Sequence, residues 1–248
     1  MKVKEILAFL DKKFPVNTAR DFDNVGLLIG NGEEVVKKAV VALDCTLETV
    51  KFACQNGCNL IITHHPVIFS PLKKILAGDV AYEVVKNGLS VISMHTNLDV
   101  AEGGVNDSLS HAIGLSNITF VTADDGYTLQ SGEVPSLTVD SFAKQIKSAL
   151  GGTVKFVDAG RKINRVLVCS GSGGDYLDFA IRLGIDALVT ADVKHHLFLS
   201  AYDNKVSLFD AGHFNTEDVV VEPLKELLCN NFSDTEFITF HKTNIQYK

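Results

Sequence analysis

Short uninterrupted apolar runs alternate with stretches whose apolar residues recur at every third or fourth position, and this alternation constrains the fold more than any other feature of the chain. Leu60-Ile61-Ile62 and Val166-Leu167-Val168 are typical of the runs. A strand with one wet face alternates apolar and polar side chains. A strand covered on both faces is apolar throughout, as in α/β sheets with helices on either side. Strands are accordingly predicted at Ala39–Asp44, Cys58–Thr63, Leu89–Met94, Arg165–Ser170, Ile185–Thr190, Val206–Phe209 and Glu236–Phe240. Helices are predicted at Leu47–Gln55, Val80–Asn87, Tyr176–Leu183 and Val219–Leu228. An amphipathic helix opens the chain, with Val3, Ile6, Leu7 and Leu10 on its apolar stripe. Several helices end at Asn-Gly or Leu-Gly, a C-cap signal.

The two halves repeat this order. Gly57-Cys58-Asn59-Leu60-Ile61-Ile62-Thr63 lines up with Gly184-Ile185-Asp186-Ala187-Leu188-Val189-Thr190, and a strand and helix precede each copy at similar distance. The expected fold class is therefore α/β, with two similar α/β lobes whose mixed sheets are flanked by helices. Residues 1–125 are expected as the first lobe and 126–248 as the second, with the chain end packing back on the first. The seam is placed within Val121–Asp140, where Asp124-Asp125-Gly126, Gly132 and Pro135 break the pattern. The competing explanation is that such a segment simply recurs at helix-to-strand joints.

A chain of 248 residues buries a core without disulfide or metal staples. Its formal charge of −7 argues against a duplex nucleic-acid partner and against a polybasic membrane surface. No apolar run approaches the ~18–20 residues of a membrane span. The opening MKVKEILAFLDKKFP carries no export cleavage site. Cys45, Cys54, Cys58, Cys169 and Cys229 are thus expected as thiols in a reducing cytoplasm. Cys54 and Cys58, one helical turn apart, offer a metal pair, but small buried apolar side chains are the favoured reading.

Chemistry in an α/β sheet gathers at the carboxyl ends of its strands. Those ends here lead into His64-His65-Pro66, His95-Thr96-Asn97-Leu98-Asp99, Ala191-Asp192-Val193-Lys194-His195-His196 and Gly212-His213-Phe214-Asn215-Thr216-Glu217. Six of the eight histidines lie in these segments, the exceptions being His111 and His241. Imidazole and carboxylate are the donors that zinc, manganese(II) and iron(II) accept. Adjacent His64 and His65 project differently and suit two neighbouring ions, one each. His213 and Glu217, four apart at a helix entry that Thr216 is expected to cap, come to one side within a turn. Asp99 is a natural bridging carboxylate. Three histidines and two carboxylates leave coordination positions for water, the mark of a catalytic rather than a structural site.

Taken in order with Asp23-Asn24-Val25-Gly26-Leu27-Leu28-Ile29-Gly30 and Thr190-Ala191-Asp192, these segments resemble the family of GTP cyclohydrolase type 2 homologues, also called Nif-three-like proteins. The resemblance covers nearly the whole chain. It implies a dinuclear metal centre between two α/β lobes and a ring-shaped homohexamer with its metal sites facing an inner cavity. By motif, the implied ligands are His64, His65, Asp99, His213 and Glu217. Ala191 stands where the family usually has glycine, and neither residue offers a ligand.

Other residues carry weaker expectations. Gly171 and Gly173, in Ser170-Gly171-Ser172-Gly173-Gly174-Asp175, either present amides to an anion or form a tight strand-to-helix turn. His95, Asp192, His195 and His196 are either partners of the ligands and proton carriers or hydrogen-bonded loop residues. Asp23 and Asn24 either line the cavity or form a turn. His95 and Glu217 are the catalytic candidates.

Two functions follow. The first is a metal-dependent hydrolase with two divalent ions per subunit, zinc, iron or manganese, whose activated water attacks a nucleotide or related small molecule. Taken literally, the family name makes GTP the substrate, yet no acidic side chain is assignable to a guanine edge and no basic cluster to a triphosphate. The second is a non-catalytic metal-binding ring acting as metal chaperone, regulator or scaffold.

Overall fold

The computed structural model describes residues 1–245. In chain order the elements are α1 (Val3–Lys13), β1 (Gly26–Ile29), β2 (Lys38–Ala42), α2 (Leu47–Gln55), β3 (Leu60–Thr63), α3 (Val80–Lys86), β4 (Ser90–Ser93) and α4 (Thr96–Asp99). There follow α5 (Val105–Ala112), β5 (Ser116–Thr122), β6 (Thr128–Leu137), α6 (Val139–Leu150), β7 (Lys155–Val157), β8 (Ile163–Val168), α7 (Leu177–Arg182) and β9 (Ala187–Thr190). The chain then forms α8 (His195–Asp203), β10 (Ser207–Asp210), α9 (His213–Glu217), α10 (Val221–Asn231) and β11 (Glu236–Phe240). No described helix is long and apolar enough to cross a membrane.

The chain forms two compact units. One holds Met1–Gly104 and Val221–Lys242, the other Val105–Val220 and residues 243–245. In the first, the sheet order is β1-β4-β3-β2-β11. Strands β2, β3, β4 and β11 run parallel, and β1 lies antiparallel beside β4. Leu60, Ile61 and Ile62 are all inaccessible to solvent, as a strand covered on both faces requires. Each such side chain contributes about 1.5–3 kcal/mol on burial. Ile61 packs with Val40 and Val91 of the neighbouring strands and with Val50, Ala53 and Val84 of α2 and α3.

The second unit has the order β5-β6-β8-β9-β10-β7. Its strands divide their side chains between two cores with the two-residue period of a pleated sheet. Val166, Val168, Val189 and Phe209 join Phe142 and Ile146 of α6 on one face. Leu167, Leu188 and Leu208 join Leu177 of α7 and Phe198 of α8 on the other.

The units share a topological core. In each, three parallel strands stand in chain order, and a strand preceding them in sequence lies antiparallel beside the third: β1 beside β4, β7 beside β10. They differ on the other flank, where β2 takes the parallel β11 and β8 takes the antiparallel β6. All seven strands read from the sequence are present, with β1, β5, β6 and β7 in addition. The units part at Gly104/Val105 rather than at 125/126. Asp124-Asp125-Gly126 instead turns the β5–β6 hairpin, with Thr122 paired to Thr128 and Gly126 donating to the Ala123 carbonyl. Turn-forming residues announce a chain reversal and do not tell a hairpin from a linker. The chain-end segment Val221–Lys242 returns to the first unit, where β11 pairs with β2.

Candidate metal-binding residues

In the first unit, hydrogen bonding continues past the end of β3. The His65 amide donates to the Leu43 carbonyl, and the Thr63 hydroxyl donates to the His65 carbonyl at 2.8 Å. Both histidines are thereby fixed at the carboxyl edge of the sheet. His64 is buried and its Nδ1 lies 3.0 Å from the Met94 carbonyl oxygen. Nδ1 of His65 lies 2.7 Å from Oδ1 of Asp44, and Nδ1 of His95 lies 2.8 Å from Oδ1 of Asp23. Carbonyl and carboxylate oxygens only accept, so each ring carries a hydrogen on Nδ1. One ring nitrogen of each of these three histidines lies within 4.8 Å of the other two.

Asp99 ends the single turn of α4, buried, with Oδ1 3.5 Å from Nε2 of His64. That turn is held by Asn97, which accepts from the His95 amide and donates to the Phe14 carbonyl at 2.7 Å. Burial alone would raise the Asp23 carboxyl. Hydrogen bonds from His95 and Thr96 outweigh it and hold the group well below the usual carboxylate range.

In the second unit, Gly212 precedes α9 with φ +86°, a left-handed entry that glycine accepts without cost. One turn later Glu217 comes to the same side as His213, with Oε2 3.0 Å from Nε2. Nδ1 of His213 lies 2.7 Å from Oδ2 of Asp192. The hydrogen bond with Glu217, helped by Asp192, pushes His213 up to about 9, against the opposing effect of burial. Without a cation, a proton on Nε2 occupies the place a metal would take. The donors present, imidazole nitrogens and carboxylate oxygens, fit a borderline divalent cation.

Several expectations meet a definite placement. Thr216 does not cap α9. It lies inside the helix, donating to the Gly212 and His213 carbonyls and accepting from the Gly171 amide at 3.1 Å. The amides of Ser170, Gly171 and Gly173 donate to Asn106, Thr216 and Thr190, so they point into the protein rather than toward an anion. The segment is a tight turn packed beneath Glu217 and His213. His195 and His196 are exposed in the first turn of α8. Asn24 anchors a loop through its amide to the Ile68 carbonyl at 2.6 Å. None of the five cysteines is in a disulfide, and burial pushes the Cys58 thiol up to about 11 and that of Cys45 to about 12. The residue the sequence reading missed is Asp44. Its one signal was its place at the carboxyl end of a predicted strand, the same rule that singled out the histidines.

Fold and side chains together define a two-unit α/β protein that gathers candidate metal ligands at the carboxyl ends of its parallel strands. The chain belongs to the Duf34/NIF3 (NGG1p interacting factor 3) family, whose profile matches residues 1–246. It is similar to a protein of Clostridium perfringens named GTP cyclohydrolase 1 type 2 homolog, 33% identical over 250 residues that cover 96% of this chain and 95% of that one. Its fold is similar to that of a hypothetical protein of Staphylococcus aureus, with TM-score 0.92, 32% identity and coverage of 100% and 99%. It is similar also to reduced HcgD from Methanocaldococcus jannaschii, with TM-score 0.84, 27% identity and coverage of 96% and 97%.

Proposed function

We propose that this protein is a hydrolase working with two divalent cations of the zinc, iron(II) or manganese(II) kind, held by His64, His65, Asp99, His213 and Glu217. Its substrate in this reading is a nucleotide or related small molecule, and its working form a cytoplasmic homohexamer. The observation that supports it best is orientation. His64, His65 and His213 each have Nδ1 against an acceptor: the Met94 carbonyl, Asp44 and Asp192. That arrangement fixes the tautomer and ring direction of metal-binding histidines. Bound cations of this kind supply a water of lowered pKa, from ~15.7 toward ~7 on zinc, and polarise the atom under attack.

The chain's own residues do the remaining work. Asp44 and Asp192 aim their rings. Asp99 and Glu217 add negative charge that offsets that of the cations. Asp23 holds the His95 ring by its Nδ1 hydrogen. The name carried by the Clostridium perfringens relative makes GTP the first substrate to try. The family description, an interacting factor, favours a second reading, a metal-binding scaffold or chaperone without turnover.

The test loads the protein with zinc, manganese or iron(II) and screens hydrolysis of GTP and small phosphate esters, with Glu217→Gln beside it. Turnover by the wild type, lost in a Glu217→Gln variant that still holds metal, supports the hydrolase. Two bound cations with no turnover of any substrate support the scaffold.

A further inference from the structure

Resting on the nucleotide-substrate reading above, we propose that Phe22 and Phe69 form a platform on which the planar base of a nucleotide stacks beside the histidine cluster. Large apolar rings scattered singly over a surface need no explanation. These two are not scattered. They come from separate loops, their centroids are 6.2 Å apart and their planes are inclined at 57°. Even so, Phe22 is 65% and Phe69 51% exposed. Phe69 in turn meets the His95 ring edge to face, at 6.2 Å and 85°. An aromatic pair open to solvent therefore stands directly beside an imidazole of the cluster.

Directed hydrogen bonds from adjoining residues hold the pair in place. Asp23, next to Phe22, has a side chain inaccessible to solvent, which accepts from the Thr96 amide and hydroxyl and from Nδ1 of His95. Asn24 donates from its side-chain amide to the carbonyl of Ile68, the residue before Phe69, at 2.6 Å. The short segment Phe22-Asp23-Asn24 thus ties the His95 ring and the Phe69 loop to one frame. Phe69 itself lies in the long irregular connection between β3 and α3, which starts from His64 and His65. Connections of that length within a compact unit are commonly functional.

The chemistry of the pair selects the ligand class. Flat aromatic faces take flat π systems, and stacking tolerates any base because every base has a π face. A tilt of 57° is too steep to sandwich a base between the two rings. The base stacks on one ring and meets the other by its edge. Stacking asks for no acidic partner at a guanine edge and no basic cluster for phosphates, the two features missing from the sequence. It also brings the rest of the nucleotide within reach of the histidines.

The test uses the full chain, both zinc-loaded and chelator-stripped, with GMP and AMP as probes and ribose 5-phosphate as the ligand without a base. Titration calorimetry reads affinity, and saturation-transfer NMR reads contact with the base protons. Phe22→Leu and Phe69→Leu keep apolar bulk but remove the aromatic face, and both positions are exposed enough for the fold to tolerate the change. Each should weaken GMP and AMP binding about tenfold, by the same factor with and without zinc. Ribose 5-phosphate binding and zinc uptake should not change, and Phe69→Tyr should restore the wild-type affinity. Unaltered base binding in both leucine variants overturns the platform while leaving the hydrolase reading intact. So does an equal loss of ribose 5-phosphate binding, which would point to a general disturbance of the site. A changed sedimentation coefficient with base binding intact would give the rings to a contact between copies of the chain and overturn it as well. A wild type that binds neither GMP nor AMP also overturns the platform, and hydrolysis of small phosphate esters by the same preparation then decides the hydrolase reading separately.

Discussion

His65 and Asp44, twenty-one positions apart in sequence, meet at 2.7 Å through Nδ1 and Oδ1. Asp44 is placed by the start of α2, where Thr46 caps the helix by accepting from the Thr49 amide and the Thr49 hydroxyl donates to the Asp44 carbonyl. A helix cap in one segment thereby sets the ring direction of a histidine in another. Asp44→Ala should keep the fold, because the capping bonds use only the backbone of Asp44, yet weaken divalent-cation binding about 10–100-fold. Competition with a chromophoric chelator reads the change. Unaltered affinity would mean that something other than Asp44 orients His65.

His213 gives a pH dependence whose sign is fixed by its surroundings. Its pKa rises from 6.5 to about 9, chiefly through Glu217. A raised folded-state value means stabilisation that is complete below 6.5 and disappears as pH climbs through about 9. The stripped wild type should thus be more stable than His213→Asn at pH 6, with the gap closing toward pH 9.5. Solvent reduces its size, since the His213 side chain is 34% exposed. A cation must displace the same proton, so affinity should rise over that range. Denaturant melts and metal titrations at several pH values check both trends.

The parallel strands were legible because burial on both faces writes itself into sequence as unbroken apolar runs such as Leu60-Ile61-Ile62. β5 and β6 were not. Much of β5 is exposed, so it carries no apolar face to read. β6 contains Gln130, Gly132 and Pro135, residues that read as breaks, and is a strand because it pairs with β8, Gln130 lying opposite Val168. Pro135 sits where that register shifts between Glu133 and Leu137, the place a sheet tolerates a residue with no amide hydrogen. The histidines and Glu217 were visible from their position after strands. The pairing of Asp44 with His65 was not, because a contact made by the fold leaves no local spacing to detect.

Phe209 tests the second unit's core. On β10 it meets Phe142 edge to face at 5.3 Å and stacks on Phe156 at 5.6 Å, and none of its surface reaches solvent. Phe209→Ala leaves a cavity between the sheet and α6 and should cost about 3–5 kcal/mol. Calorimetry should show the loss. Because Asp210 follows on the same strand and accepts from the amides of Val193 and Gly212, the variant should also loosen the segments bearing Asp192 and His213. Faster amide exchange there would register it.

Gly171 has neither room nor backbone freedom for a side chain. It holds φ +56°, and a Cβ built on it would collide with Oε1 of Glu217 and stand 3.3 Å from Cε1 of His213. The backbone cannot retreat easily, since the Gly171 carbonyl accepts from the Ala191 amide at 2.7 Å and from the Thr190 hydroxyl at 3.0 Å. Glu217 must therefore swing away from His213 in Gly171→Ala. The left-handed backbone alone costs an L-residue roughly 1–2 kcal/mol. Gly126 supplies the control, because it holds φ +80° in the β5–β6 turn with nothing within 4 Å of its would-be Cβ. Both alanine variants should lose stability in denaturant melts, Gly171→Ala the more, but only Gly171→Ala should lose bound metal and let His213 fall back toward its ordinary titration range, as imidazole NMR would read. Equal metal binding in the two variants would mean that Glu217 does not depend on the close approach of Gly171.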